Sequence, residues 1–330
     1  MESPYLLFLG DANLVGMDKM GAGIRQWRGE LCLGQFRLPG CTADLGLPEM
    51  TPAEAQQQGA RTMIVGVVNV GGVIPDKWIA SINAAFEAGL DVASGMHQRL
   101  ADIPVIADAA ARHGRTIHDV RAPTRRFLPG TGIKRSGQRL LTVGTDCAVG
   151  KKYTALAIER EMRSRGIDAD FRATGQTGLL IAGRGVVIDA VIADFISGAA
   201  EWLSPDADPD HWDVIEGQGS LAHPAYAAVT LGLIHGSQPD ALVVCHEPTR
   251  EKLLGLDYPV PSLAELTEMA LAAARLTNRA VRVVGISINS STLPADRVDA
   301  VVAEIEAETG LPCCDPLLHG PAKIVDRLLG

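Results

Sequence analysis

The residues with the clearest capacity for chemistry lie in one stretch, Val143-Gly144-Thr145-Asp146-Cys147-Ala148-Val149-Gly150-Lys151-Lys152-Tyr153-Thr154. A glycine-bounded loop between a strand and a helix turns backbone N–H groups and the positive helix end toward one point. Such a point favours an anion, most often phosphate. Lys151 adds a full positive charge, and the loop is expected to be exposed. The pattern departs from a Walker loop twice. Five residues, 145–149, separate Gly144 from Gly150, one more than the Walker spacing, and Lys152 stands where Ser or Thr would hold magnesium. Cofactor contacts are expected from Gly144, Thr145, Asp146, Cys147, Ala148, Val149, Gly150, Lys151, Lys152 and Tyr153. No metal is expected, because an ammonium has donors and no acceptor and cannot ligate a cation. Lys152 is instead expected to fill the ion's place, between a phosphate and Glu216. The plainer alternatives are a ligand-free glycine turn for the loop and a solvent-facing side chain for Lys152.

The flanking residues say how this loop is held. Arg139-Leu140-Leu141-Thr142-Val143 has strand length; Ala155, Ile158 and Met162 then recur at helical spacing, and Gly166 stands where that helix would end. Upstream, strands are expected over 6–9, 62–67, 90–97 and 116–121. Helices are expected from Gly21, around Trp78, Ile82, Ala85 and Phe86, and over 103–113. This alternation implies a parallel sheet with helices on its faces. Gly71-Gly72 does not complete a G-x-G-x-x-G motif and reads as a tight turn. His97 and Arg121 fall at strand ends, where open α/β sheets bind ligands, although a solvated loop explains each equally well.

Residues 127–137 have the Pro, Gly and basic content of a linker, which divides the chain into domains 1–130 and 131–330. In the second, strands are expected over 169–173, 212–216, 241–246 and 282–289, with a helix over 189–203. Four strand tips would bring Lys151, Glu216, His246 and Asn289 toward one crevice. The acidic loop 206–210 lacks the glycine turn of a calcium site.

Composition narrows the class. The chain has 330 residues, 47% hydrophobic and 4% aromatic, which suits α/β layers better than a β-sandwich. A net charge of −9 argues against a nucleic-acid partner. Of the six cysteines none forms a C-x-x-C pair, so reduced thiols of a cytoplasmic protein are expected. No signal peptide is expected, and the longest uncharged apolar run, 63–75, is too short to cross a bilayer.

Gly144-Thr145-Asp146 with Val149-Gly150-Lys151, then Glu216-Gly217 at a strand end, resembles dethiobiotin synthetase and its relatives. A nearly full-length resemblance is to the D-glutamate N-acetyltransferase family. It rests on Gly89-Leu90-Asp91, Ser94-Gly95-Met96-His97, Asp119-Val120-Arg121, the loop from Gly144 to Lys151, Thr174-Gly175-Gln176-Thr177-Gly178 and Glu216-Gly217-Gln218-Gly219-Ser220. The resemblance implies an α/β protein with an N-terminal Rossmann-like domain followed by a P-loop NTPase-like parallel-sheet domain. It implies acetyl transfer from acetyl-CoA to the amine of D-glutamate, as a step in D-glutamate catabolism. A homo-oligomer is the expected assembly. The alternatives are an ATP-dependent ligase or kinase of the dethiobiotin synthetase type, and a nucleotide-sensing regulatory protein.

Chemistry assigns the remaining roles. The loop would hold a phosphate of acetyl-CoA. A base must take a proton from the substrate ammonium, and Glu216 and His223 are the candidates. The oxyanion of the tetrahedral intermediate needs donors, from the backbone of Gly217 to Ser220 or from Gln176. The two substrate carboxylates call for arginines, with Arg25, Arg121 and Arg172 near strand ends or glycine turns. Substrate contacts are thus expected from Arg121, Gln176, Gln218 and Ser220.

Overall fold

A computed structural model describes residues 1–14, 16–123 and 125–330. The chain forms two compact units, Met1–Thr124 with Leu179–Gly183, and Arg125–Gly178 with Arg184–Gly330. The first carries β1 (Tyr5–Gly10), α1 (Lys19–Arg28), β2 (Cys32–Arg37), α2 (Pro52–Gln57), β3 (Thr62–Val65), α3 (Asp76–Glu87), β4 (Asp91–Ser94), α4 (Pro104–Arg112) and β5 (Ile117–Asp119). Its sheet has the order β2-β1-β3-β4-β5, and every pairing is parallel. Leu6, Phe8, Met63, Val65 and Val92 are fully buried against Trp78, Ile82 and Phe86 of α3. Each such side chain contributes about 1.5–3 kcal/mol. The capping box of Thr51 and Glu54 starts α2.

The second unit carries β6 (Gln138–Gly144), α5 (Lys151–Ser164), β7 (Ala169–Arg172), the start of α6 (Gln176–Ala182, whose residues from Leu179 on group with the first unit), α7 (Ile196–Leu203), β8 (Trp212–Ile215), α8 (Ala227–Ser237), β9 (Ala241–His246), α9 (Leu263–Ala274), β10 (Arg282–Ile288), α10 (Val298–Thr309), β11 (Cys313–Cys314) and α11 (Ala322–Leu329). Its sheet, in the order β11-β10-β9-β6-β8-β7, is also wholly parallel. β6 lies between β9 and β8, so the loop that leaves it has the tips of β9 and β8 on either side. Parallel strands buried on both faces need continuous apolar runs, and Leu141, Val143, Leu242, Val244, Ile286 and Ile288 supply them.

One expectation needs correcting. The stretch 189–203 is not one helix. Val191 and Ile192 are extended, with ψ of 137° and 135°, and they separate one short 3₁₀ turn, Ile188–Ala190, from a second, Ala193–Phe195, that runs into α7. These adjacent β-branched residues carry the helical apolar pattern but not the helical backbone preference. The stretch 174–178 leads from β7 into α6, which starts at Gln176.

Candidate active site

The loop between β6 and α5 is built from the inside. Gly150 takes a left-handed φ of 101° and lets the chain turn into α5, and Ala148, although it carries a Cβ, has φ of 57°. A non-glycine residue held there costs about 1–3 kcal/mol and is characteristic of functional turns. Beneath the loop, Thr142 Oγ1 accepts the Gly217 N–H at 2.9 Å and donates to the Lys151 carbonyl at 3.2 Å. This ties the start of α5 to the exit of β8. Gly217 is required at that point, because a Cβ would lie 1.7 Å from the Thr142 carbonyl oxygen.

Asp146 is fully buried and is the loop's anchor. Its Oδ1 accepts the Cys147 N–H at 2.6 Å, and its Oδ2 accepts Arg250 Nη1 at 2.9 Å and the Leu254 N–H at 2.7 Å. Arg250 also donates to the Cys147 carbonyl at 2.6 Å and pairs with Glu247. Lys151 is a correction to the sequence reading. It is 6% exposed rather than free in the loop, and its ammonium donates to the Asp146 carbonyl at 2.7 Å. Burial pushes its pKa down. Lys152 is half-buried, with Nζ 4.3 Å from the centroid of the Tyr153 ring. Thr145 is buried and its Oγ1 bonds His246 Nδ1 at 3.0 Å; Val149 belongs to the core. Burial, helped by the Arg250 charge, lowers the His246 pKa to about 4.

Glu216 follows β8 and is 3% exposed. Its Oε2 accepts the N–H groups of Thr174 and Gly175 at 2.9 and 3.0 Å. Burial raises its pKa, and the Lys152 charge opposes that shift most strongly. Gln218 is half-buried and its Nε2 donates to Thr174 Oγ1 at 3.2 Å. Gln176 is half-buried at the start of α6. Ser220 is fully buried and its Oγ accepts the Ala222 N–H at 3.2 Å. Asn289, half-buried, donates its N–H to the His246 carbonyl at 2.8 Å.

His223 is buried. Its Nε2 bonds the Leu254 carbonyl at 3.1 Å and its Nδ1 accepts the Ala225 N–H at 3.3 Å. Asp146, Cys147 and His223 each place one ligand-type atom within 4.8 Å of the others. Arg121 belongs to the first unit, half-buried just beyond β5, and His97 is exposed there. Arg172 pairs with Asp213 and Asp170 at 2.5 and 3.5 Å, which commits it to a structural network at the side of the sheet. Sequence reasoning missed Arg250, because it stands more than a hundred positions from Asp146 and no local spacing links the two.

Comparison with known proteins extends this geometry. Residues 126–325 match the family described as "Domain of unknown function (DUF1611_C) P-loop domain", and residues 36–123 match its "DUF1611_N" Rossmann-like partner. A D-glutamate N-acetyltransferase of Tritonibacter scottomollicae is 53% identical over 329 residues, covering 99% of both chains. Another D-glutamate N-acetyltransferase, of a Pseudoalteromonas species, is 49% identical with the same coverage. The crystal structure of a DUF1611 family protein from Anabaena variabilis superposes with a TM-score of 0.88 at 30% identity, over 99% of each chain.

Proposed function

The chain belongs to the DUF1611 family, with its Rossmann-like and P-loop domains, and from that premise we propose that it is an N-acetyltransferase acting on the amine of D-glutamate. The observation that carries the reading is the full-length likeness to two enzymes of that name, which spans the loop, Glu216 and His223 together rather than one motif. Acetyl-CoA is the donor in this reading, bound in the 131–330 domain around residues 144–153. The site suits such a donor. It joins the N-terminus of a 14-residue helix, two lysines and a buried polar floor, groups able to meet either the phosphates or the thioester oxygen.

The chemical requirement is removal of a proton from the D-glutamate ammonium before its nitrogen attacks the acetyl carbon. Among the two candidate bases, Glu216 spends one oxygen on two backbone N–H groups and sits in a hydrogen-bonded enclosure. That role is structural. Among the described residues His223 Nδ1 meets one hydrogen bond, a long one at 3.3 Å from the Ala225 N–H, and in this reading it is the better base. The half-buried Gln176 and Gln218 are the candidates for substrate or oxyanion contacts. The six cysteines are all unpaired, which suits the reducing cytoplasm, and the reaction would serve D-glutamate catabolism.

The direct test mixes the protein with acetyl-CoA and D-glutamate and follows free CoA with a thiol reagent. CoA release that requires D-glutamate supports the reading. Phosphate release from ATP without CoA release would refute it.

A further inference from the structure

We propose that Cys147 is the acyl acceptor of the reaction, carrying the acetyl group as a thioester between donor and amine, with His223 as its base. The proposal rests on the N-acetyltransferase reading above and decides which end of the donor the loop receives.

Four observations support it. First, Cys147 is partly exposed at the turn, while its two neighbours in the cluster, Asp146 and His223, are buried. A nucleophile must be reachable, and its supporting groups need not be. Second, the tautomer of His223 is set. A carbonyl only accepts, so His223 Nε2 carries the hydrogen donated to Leu254, and in the neutral ring Nδ1 is the basic nitrogen; there it accepts the Ala225 N–H at 3.3 Å, a long bond that proton transfer from the thiol must displace. Third, that orienting carbonyl is itself fixed. The Leu254 N–H donates to Asp146 Oδ2, and Asp146 Oδ1 holds the Cys147 N–H. One carboxylate thereby positions both the peptide that orients the base and the residue that bears the thiol. Nucleophile, base and orienter thus share one cluster whose ligand-type atoms lie within 4.8 Å of one another, and covalent catalysis requires the thiol and the imidazole to close from there to hydrogen-bond distance.

Fourth, part of the loop's capacity to cradle a phosphate is already used: the Cys147 N–H and one of the three Lys151 ammonium hydrogens are bonded to Asp146. A neutral thioester carbonyl asks less of it. Its oxygen would meet the N–H groups that open α5, which lack helical partners by construction. A metal ion is the competing occupant of an Asp-Cys-His cluster. Here Arg250 already stands on Asp146 Oδ2 at 2.9 Å, and a cation would have to displace that guanidinium.

The step balances. His223 Nδ1 takes the proton of the Cys147 thiol as Sγ attacks the acetyl carbon. The new Sγ–C bond forms, the C–S bond to CoA breaks, and the proton leaves with the CoA sulfur as a thiol. The D-glutamate ammonium then gives one proton to His223. Its nitrogen attacks the acetyl carbon, the N–C bond forms and the Sγ–C bond breaks. The second amine proton returns to the Cys147 sulfur, and His223 releases the first to solvent. Burial pushes the Cys147 thiol pKa up, so the resting residue is an S–H that needs this base.

The test uses the whole wild-type protein with acetyl-CoA and isotopically labelled CoA, without D-glutamate. Label should exchange into acetyl-CoA, and acid-quenched protein should carry one acetyl mass on the peptide containing Cys147. Cys147→Ala should abolish exchange and lower N-acetyl-D-glutamate formation by on the order of 10³-fold or more. Acetylation of D-glutamate without exchange or adduct would overturn this proposal and leave the acetyltransferase reading standing. No acetylation of D-glutamate at all would overturn both. Stoichiometric metal on the protein, with activity lost to chelator and no adduct, would overturn it in favour of a metal site. Because exchange and adduct are read on the wild type, a Cys147→Ala variant that fails to fold does not weaken the test.

Discussion

Arg250 donates to Asp146 at 2.9 Å, and this ion pair closes the inside of the loop between β6 and α5. The carboxylate is fully buried and the arginine side chain is 17% exposed. A buried pair adds little relative to an apolar one, but removing one partner strands a charge.

Arg250→Ala should therefore destabilise the second unit by about 3 kcal/mol, the low end of the range for an orphaned buried charge, because two amides still bond Asp146. Denaturant unfolding measures this. A loss below about 1 kcal/mol, the size of an exposed pair, would show that Asp146 does not depend on the guanidinium.

How much of this was legible in the sequence divides by range. The loop, its flanking strand and helix, and the strand tips carrying Glu216, His246 and Asn289 are local patterns: apolar runs, helical spacing and glycines that end them. Lys151 was misplaced because a lysine beside glycines reads as solvent-facing, whereas its partner is a backbone carbonyl five residues back. Arg250, and the Leu254 peptide that orients His223, came from a distant segment with no spacing signal. β2 was missed because it is an edge strand interrupted by Gly34, packed tightly on Met50. β11 has two residues, too few for any periodicity.

Lys151→Ala tests the corrected position of that lysine. An exposed lysine would leave folding unchanged. A buried ammonium bonded to Asp146 should cost about 1.5–3 kcal/mol of stability when removed, the range for a charged hydrogen bond. Calorimetry of the free protein, followed by titration with CoA, separates this loss from any effect on cofactor affinity.

Glu216→Gln should preserve one acceptor oxygen for Thr174 and Gly175 while removing the charge beside Lys152. On the structural role, turnover should fall less than about tenfold, against the 10²–10⁴-fold expected for a general base. Steady-state kinetics of the folded variant decide between them.

His246 gives a pH signature. Its folded pKa of about 4 lies below the ordinary value of 6.5, so the folded state favours the neutral ring. For a depressed pKa the stabilisation is present above the unfolded value and is lost as pH falls from about 6.5 toward 4, with a slope of at most about one proton. Unfolding free energy measured across that window should lose this slope in His246→Gln. An unchanged slope would place the titration elsewhere.

Lys152 bears on the metal. If its charge serves beside Glu216 in place of an ion, activity should survive excess chelator, and Lys152→Thr should lose activity. Chelator-abolished activity restored by magnesium would contradict this.

The central claim is acetyl transfer to the amine of D-glutamate, and chiral separation of the products tests it most directly. The purified protein is given acetyl-CoA and an equal mixture of D- and L-glutamate, and the acetylated amino acid is resolved and counted against CoA released. The account predicts N-acetyl-D-glutamate in one-to-one amount with CoA and little of the L product. CoA release with no acetylated D-glutamate, or equal acetylation of both enantiomers, would contradict it.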